Sequence, residues 1–348
     1  MINDLKLIGS VVPEVIPMLQ QRYKVLQGLY WLQPIGRRAL SEALSLTERT
    51  LRTETEQLKR LDFISISKTG MRLTDKGEDI YNQLASLMDQ VLGMQQIESK
   101  LAKYLGIARC IIVSGDSDKQ SQVISRLGKV LYHTLDEQLP NGENIIAVMG
   151  GTTMAQAAEQ FKNLETEHRH NLFVPARGGI GELMNVQANT ISAVMAMKTN
   201  GAYRAIYVPE QLSVNTYESL LQEPSIAEVL SLIQGANCVI HSIGRALPMA
   251  VRRKMTEDEI LMLKQNGAIA ESFGYFFNQE GQIVYKTPRI GLKLSQLQNV
   301  PYMFAIAGGK SKAKAIAAYM KNAPKQTCLI TKVRVPIAEI VLFAVGPT

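Results

Sequence analysis

Twice between Asn144 and Gly181 the chain passes from a short apolar run into a glycine-rich turn and then a helical pattern. The first passage is Asn144-Ile145-Ile146-Ala147-Val148 followed by Met149-Gly150-Gly151-Thr152-Thr153. The second is Leu172-Phe173-Val174 followed by Pro175-Ala176-Arg177-Gly178-Gly179-Ile180-Gly181. Strand, tight turn and helix in repetition specify a parallel sheet, because parallel neighbours need a crossover that returns the chain. Such a turn also presents backbone N–H groups at a helix N-terminus, where the helix dipole favours an anion. Thr152 and Thr153 add hydroxyl donors, and Arg177 adds a planar fork suited to phosphate.

The alternation runs on from Arg109 to the C-terminal region. Strand-like runs are Cys110–Val113, Asn144–Val148, Leu172–Val174, Ala205–Val208, Asn237–His241, Tyr302–Ala307 and Thr327–Ile330. Helical patterns such as Gln122–Leu139, Met154–Phe161, Ile191–Lys198 and Ala313–Met320 separate them. Sheets of this kind bind ligands beyond the carboxyl ends of their strands. Gly150-Gly151, Gly178-Gly179, Ser242-Ile243-Gly244 and Gly308-Gly309 all fall at that edge. One such turn alone is a tight connector. Several, carrying Thr, Arg and Lys, predict a pocket for a small phosphorylated molecule. Gly308-Gly309-Lys310-Ser311-Lys312 is not a P-loop, since Phe304 stands where the first glycine is required. No dinucleotide fingerprint follows a strand either, which disfavours ATP and NAD. Arg252, Arg253 and Lys254 suit either a solvated helix end or a second phosphate clamp.

The first hundred residues have a different texture. Met18, Val25, Leu26 and Leu29 fall at helical spacing, and Gln33-Pro34-Ile35-Gly36 breaks the pattern. A short helix from Arg37 to Ser45 leads into a turn at Leu46-Thr47. Thr47 caps a further helix whose Leu51, Thr55 and Leu58 share one face. Two strand-like pieces follow, Phe63–Ser67 and Met71–Thr74, joined by Lys68-Thr69-Gly70. Helix, turn, helix and hairpin make a winged helix-turn-helix. Between Arg22 and Lys76 stand eleven basic and six acidic residues, an excess of five out of the chain's net +7. A protein-binding module with an ordinary solvated face is the alternative. The charge excess favours DNA, with Arg37, Arg38, Arg49, Thr50, Arg52 and Thr53 from the helices and Lys68 and Arg72 from the wing as contacts.

Residues 77–105 carry one long helical pattern. Ile80, Leu84, Leu87, Val91 and Met94 recur at alternate spacings of four and three, with Ile97 and Leu101 after a slip. The seam suits a short coiled coil between protomers or a helix packed on its own domain. A homodimer is expected, with a tetramer on DNA as an extension. The organisation is therefore an α/β chain with a DNA-binding domain at 14–76, a linker or dimerisation helix at 77–105 and an effector-binding domain at 106–348.

Other chemistry finds little support. Cys110, Cys238 and Cys328 are far apart, lack metal-ligand spacing and lie in apolar runs, as buried reduced thiols do in the cytosol. No metal site and no cofactor are expected. No export signal is visible after Met1, and no apolar run reaches the roughly 18 residues of a membrane helix, so a cytoplasmic location is expected. Glu182 and Glu271 are the only candidate bases, without a His-carboxylate pair. His168 and His170 read as solvated, and His241 as a satisfied structural histidine. No catalytic residue is assigned, although a sugar-phosphate isomerase or deaminase with an accessory DNA-binding head is the competing class.

Several stretches carry a family resemblance. They are Pro34-Ile35-Gly36-Arg37-Arg38, Ile112-Val113-Ser114-Gly115-Asp116-Ser117-Asp118, Gly150-Gly151-Thr152-Thr153, Phe173-Val174-Pro175-Ala176-Arg177-Gly178-Gly179, Gln187-Ala188-Asn189-Thr190, Ala270-Glu271-Ser272-Phe273-Gly274 and Ala307-Gly308-Gly309-Lys310-Ser311-Lys312. Over nearly its whole length the chain resembles the SorC/DeoR family of bacterial transcription regulators. The resemblance implies a repressor of a glycolytic operon, released from operator DNA by a sugar phosphate, fructose 1,6-bisphosphate foremost. It implies a Rossmann-like sugar-binding domain similar to ribose-5-phosphate isomerases and glucosamine-6-phosphate deaminases. One phosphate would sit on Gly151, Thr152, Thr153 and Lys312. Arg177, beside Gly178 and Gly179, and Arg252 would serve the other phosphate or the sugar hydroxyls, and Gln187 and Glu271 would bond hydroxyls. The apolar tail Ile340-Val341-Leu342-Phe343-Ala344-Val345 departs from the charged C-terminal helix usual in the family.

Overall fold

The structure is a computed structural model that describes residues 10–44, 46–91, 94–113, 122–178, 183–208, 214–287 and 289–332. The apolar tail, Gly179, Glu182 and the stretch from Ser114 to Asp118 lie outside the described residues. The chain divides into two compact units, Met1–Ile97 and Glu98–Thr348.

In the first unit, helices α1 (Val15–Leu32), α2 (Arg37–Leu44) and α3 (Glu48–Arg60) precede a hairpin of β1 (Ile64–Ser67) and β2 (Gly70–Leu73), and α4 (Asp75–Val91) follows. Val25, Leu26 and Leu29 of α1 bury against Leu40, Leu51, Leu58, Ile64 and Met71, one contiguous core. The Thr47 side chain accepts the Thr50 amide at 3.1 Å, which starts α3 where the sequence predicts. The hairpin is antiparallel with Ser67 opposite Gly70. Ile35 exchanges backbone bonds with Met71 at 3.2 and 2.9 Å, fastening the wing to the turn before α2. An added Cβ on Gly70 would stand 2.9 Å from the Ile35 backbone, and its φ of +125° is open only to glycine.

The helical pattern over 77–105 is helix at both ends, as α4 and as α5 (Met94–Leu105), and the boundary between units falls at Ile97. Part of the expected seam is spent inside each unit. Ile80 and Leu84 pack on the first core beside buried Tyr81 and Met88, while Leu101 packs on the core of the second. Tyr23 of α1 stacks on Tyr81 at 5.6 Å, joining the two helices.

The second unit is built on β3 (Arg109–Val113), α6 (Gln122–Gln138), β4 (Gly142–Val148), α7 (Thr152–Ala158), β5 (Arg169–Pro175), α8 (Ala188–Thr199), β6 (Ala202–Tyr203), α9 (Val214–Leu221), α10 (Pro224–Gln234) and β7 (Cys238–Ser242). It continues through β8 (Gly244–Arg245), α11 (Ala246–Arg252), α12 (Glu257–Gln265), β9 (Ala270–Ser272), β10 (Tyr275–Phe277), β11 (Ile283–Lys286), β12 (Tyr302–Gly308), α13 (Ala313–Met320) and β13 (Thr327–Lys332). The main sheet is parallel throughout, in the order β3-β13-β12-β7-β4-β5-β6.

Period-two alternation sorts each strand between two cores. Ala147, Val239, Ala305 and Leu329 face one side, under α10 and α13. Val148, Ile240, Ile306 and Ile330 face the other, under α6, α7 and α8. This is the α/β architecture with helices on both faces that the alternation predicts.

Two features differ from the sequence reading. The strand expected at Ala205–Val208 is instead β6 at Ala202–Tyr203. Ile206 turns its backbone to a side chain, donating to Asn189 Oδ1 at 3.0 Å and accepting from Asn189 Nδ2 at 2.8 Å, so it has no need of a neighbouring strand. The second difference is an antiparallel sheet of order β11-β10-β9-β8, which the sequence reading does not contain. Its short strands supply Ala270, Tyr275 and Phe277 to the α13 side of the core.

Candidate functional site

The carboxyl ends of β4, β5, β7 and β12 lie at one edge, and a cavity of about 40 Å³ opens there. Of the ten residues expected to hold an effector, Gly151, Thr152, Thr153, Arg177, Arg252, Glu271 and Lys312 line it. They come from sequence positions more than 150 residues apart. Helix α7 begins in the cavity wall at Thr152, so its first amides lack carbonyls one turn back. Gly151 caps it at φ +129°, and a Cβ there would stand 3.3 Å from Ser242 Oγ.

Three expected residues stand otherwise. The Gly178 amide donates to the Ile290 carbonyl at 2.9 Å, and a Cβ on Gly178 would meet Val208 Cγ2 at 2.0 Å. Gly178 is thus a packing glycine, with its donor spent on the backbone. Gln187 precedes α8 outside the cavity lining, and its backbone packs on Gly150. Gly179 lies outside the described residues. The Gly151 amide is likewise engaged, with the Val186 carbonyl at 2.9 Å. With the Gly151 and Gly178 amides spent on carbonyls, the first-turn amides and hydroxyls of Thr152 and Thr153 are donors left to the cavity.

Among the described residues Glu271 is the one acid in the wall. Its Oε1 lies 2.8 Å from Arg253 Nη1 and accepts the Gly274 amide at 2.9 Å. The Arg253 contact is an ion pair between two buried side chains. Glu271 Oε2 stands 3.5 Å from where a Cβ on Gly244 would lie, so glycine keeps room beside the carboxylate. The turn that Glu271 holds joins Ser272 to Tyr275 through Phe273 and Gly274, at φ +53° and +80°. Both central residues are left-handed, as a two-residue hairpin turn of this hand requires. For Phe273 that conformation costs about 1 kcal/mol, offset by its burial against His241 at 4.9 Å between centroids.

His241 sits behind the cavity, fully buried. Desolvation holds its pKa down to about 4, against smaller opposing effects from a Ser242 backbone hydrogen bond and Glu271. Ser272 Oγ is 3.3 Å from Nδ1 and Tyr319 Oη 3.5 Å from Nε2. A neutral imidazole packed between aromatic rings is the structural histidine of the sequence reading. The three cysteines are buried, and burial raises all three thiol pKa values. No group of acids, histidines and cysteines suited to a metal occurs among the described residues.

Sequence reasoning leaves Arg253 ambiguous, within a run of three basic residues. Its burial, at 7% exposure beside an exposed Lys254 at φ +52°, separates it from a solvated helix end. The short length of α11, which ends at Arg252, turns Arg253 inward.

In the first unit Arg38, Arg49, Arg52, Thr53, Lys68 and Arg72 are exposed, and Arg37 and Thr50 are half-buried. Arg49, Arg52 and Thr53 share the open side of α3, opposite Leu51, Thr55 and Leu58. Arg38 pairs with Glu42 at 3.4 Å and Arg52 with Glu56 at 3.0 Å, one turn along their helices. The Arg52 hydrogen bond lowers the Glu56 pKa. Solvent screens exposed pairs of this kind, so a phosphate can take the arginine. Thr50 Oγ1 sits 2.8 Å from Thr47 Oγ1, and Thr53 Oγ1 donates to the Arg49 carbonyl at 3.2 Å. Glu54, on the buried face, accepts from Gln21 at 2.8 Å and Arg22 at 3.1 Å, binding α3 to α1.

Residues 89–342 match a sugar-binding domain family, and residues 18–88 match the CggR N-terminal DNA binding domain family. Two central glycolytic genes regulators are similar to the chain. That of Priestia megaterium is 43% identical over 90% of this chain and 92% of its own, and that of Bacillus subtilis 41% identical over 92% and 94%. A solved SorC family transcriptional regulator from Enterococcus faecalis is 69% identical, with a TM-score of 0.67 over 71% of this chain and 99% of its own. The full-length sorbitol operon regulator SorC from Klebsiella pneumoniae shares the fold, at TM-score 0.61 and 16% identity over 93% of this chain and 99% of its own.

Proposed function

The chain belongs to the SorC/DeoR family of transcription regulators, and from that membership we propose that it represses glycolytic genes and releases their operator when a sugar phosphate binds. The family is one of regulators rather than enzymes, so the isomerase or deaminase alternative lapses. The effector is fructose 1,6-bisphosphate. One observation carries this reading: seven residues scattered through the second unit converge on a single cavity with cationic, hydroxyl and carboxylate groups. A phosphate rests on Thr152, Thr153 and Lys312, and Arg177 and Arg252 reach the sugar hydroxyls or the second phosphate. Glu271, an acceptor in an otherwise cationic wall, takes a hydroxyl and repels a misplaced phosphate.

Residues 14–76 read the operator, with Arg37, Arg38, Arg49, Thr50, Arg52 and Thr53 on the helices and Lys68 and Arg72 on the wing. Residues 77–105 couple protomers of a homodimer, two of which share an operator as a tetramer, and residues 106–348 hold the effector. The parallel sheet with glycine turns at one edge supports kinship with the ribose-5-phosphate isomerase and glucosamine-6-phosphate deaminase folds. No described helix is long and apolar enough to cross a membrane, in keeping with a regulator at work in the cytoplasm. A ligand moves the DNA-binding equilibrium only through its different affinity for the two states.

The test is a gel-shift of the full chain on glycolytic promoter DNA, titrated with fructose 1,6-bisphosphate, with glucose as control. Release by the bisphosphate alone is expected. Retention of DNA at saturating bisphosphate overturns the effector assignment.

A further inference from the structure

Helix α1 meets α3 with one face and α4 with another. On the α3 side, Gln21 Nε2 donates to Glu54 Oε1 at 2.8 Å and Arg22 Nε to Glu54 Oε2 at 3.1 Å. Each carboxylate oxygen is thus spent on a different residue of α1. Glu54 is buried, whereas Glu48 and Glu56 of the same helix are exposed. On the α4 side, Tyr81 lies against Tyr23 at 5.6 Å and Tyr30 at 4.4 Å between centroids. Burial raises the pKa of its hydroxyl, against hydrogen bonds with the Tyr23, Gln27 and Trp31 side chains. Positions 23, 27, 30 and 31 share one side of a helix, and positions 21 and 22 project away from it.

The start of α4 is also fixed directly to the end of α3. Lys76 Nζ donates to the Leu61 carbonyl at 3.1 Å, and Thr74 Oγ1 to the Asp62 carbonyl at 2.6 Å. An attachment at one end of a helix is a pivot. A second attachment at its middle removes the freedom to turn about that pivot. Glu54 sits at the middle of α3, beside Arg52 and Thr53 on the open side. Glu54, α1 and Tyr81 therefore close a triangle whose third side is the turn from α3 into α4.

We propose that Glu54 is a positioning residue for operator reading: through Gln21, Arg22 and Tyr81 it locks the angle between α3 and α4, and so fixes the half-site spacing that a dimer accepts. This rests on the homodimer reading above, in which residues 77–105 join the protomers. It adds the element that carries the geometry of that junction to the helix that reads DNA. Each base pair inserted between two half-sites turns the second by about 35° and moves it by about 3.4 Å. A head held at a fixed angle cannot follow. A head free to pivot follows, and gives up affinity at the native spacing.

The experiment is fluorescence anisotropy of the full chain on two duplexes. One carries the operator mapped by footprinting on glycolytic promoter DNA, and the other the same operator with two base pairs inserted between its half-sites. Wild type is compared with Glu54→Ala, Gln21→Ala, Tyr81→Leu and Tyr81→Phe, with melting temperature and salt slope measured for each. Wild type should bind the inserted duplex about tenfold or more weakly. In Glu54→Ala and Tyr81→Leu that ratio should shrink to under about threefold, with weaker binding of the native duplex and an unchanged salt slope, since no phosphate contact is removed. Tyr81→Phe keeps the stacked ring and should keep the wild-type ratio. Gln21→Ala, which removes one bond from a half-buried residue, should fall between wild type and Glu54→Ala and guards against a folding failure in the latter. A uniform loss on both duplexes, with the wild-type ratio kept in Glu54→Ala and Gln21→Ala, overturns the proposal and leaves the dimer reading standing. A wild type indifferent to the insertion overturns the dimer reading and the proposal with it.

Discussion

Arg253 and Glu271 meet at 2.8 Å with their side chains only 3% and 4% exposed. The pair links the end of α11 to β9, and the same carboxylate oxygen holds the Gly274 amide at 2.9 Å. One ion pair therefore sets both the acid in the cavity wall and the left-handed turn beside it. Removing one partner leaves a charge buried alone, which typically costs about 3–5 kcal/mol. Arg253→Met is expected to lower unfolding stability by that order in urea. The double substitution Arg253→Met with Glu271→Met should recover a large part of the loss, since no lone charge remains. A single-variant loss under about 1 kcal/mol would mean that the pair is solvated and the turn stands without it.

Acid should weaken the second unit through His241. Its pKa is near 4 in the folded chain against an ordinary 6.5, so the unfolded chain binds the extra proton between those values. Stability is whole above about pH 6.5 and declines as pH falls toward 4, by roughly 3 kcal/mol at the limit. Thermal unfolding followed from pH 7.5 to 5 should show this decline in wild type and a shallower one in His241→Gln. Equal slopes would place the acid sensitivity on carboxylates instead.

The sequence carries the parallel sheet because each core strand alternates between two faces, as Ala147 and Val148 do, and β4, β5, β7 and β12 each end at a glycine turn. It carries the convergence on one cavity for the same reason, since strand ends share an edge. Its silence on the antiparallel sheet has a physical cause. The strands β8, β9 and β10 are two or three residues long, too short for period two to rise above chance. Gly178 was expected at the ligand because a glycine turn after a strand looks alike whether its amide meets an anion or a carbonyl. Only the distant Ile290 and Val208 distinguish them. Glu54, whose charge suggests the open face of α3, is buried by partners on α1 that no periodicity in α3 contains.

Gly291 offers a test of the chain's path past Arg177. Its φ is +143°, and an added Cβ would stand 2.5 Å from the Ala176 carbonyl oxygen and 2.6 Å from Arg177 Cα. Backbone cannot yield there as a flexible side chain would. Gly291→Ala should open the bridge to Arg177, lower the melting temperature by several degrees and raise the bisphosphate needed to release DNA. Gly267→Ala, at φ +65° with no atom within 4 Å of the added Cβ, is the control for backbone strain alone. A release midpoint that shifts equally in both variants would separate Arg177 placement from the effector response.

Operator binding should draw on Arg49 and Arg52 through phosphate contacts. Both are exposed on the open side of α3, whose other face is fixed by Leu51, Thr55 and Leu58 and by the Glu54 bonds to α1. The helix is thus rigid where its arginines project. Arg52 must exchange Glu56, 3.0 Å away, for a phosphate. That exchange is nearly free at the surface, where solvent screens such pairs. Each arginine that neutralises a phosphate releases a counterion, so the slope of log K against log salt should fall by about one unit in Arg49→Ala and again in Arg52→Ala. Glu56→Gln should tighten binding slightly by freeing Arg52 and removing a like charge from the DNA. Loss of affinity at unchanged slope would make the arginines base readers, and no change in either would move DNA contact to the wing, where Lys68 and Arg72 become the residues to replace.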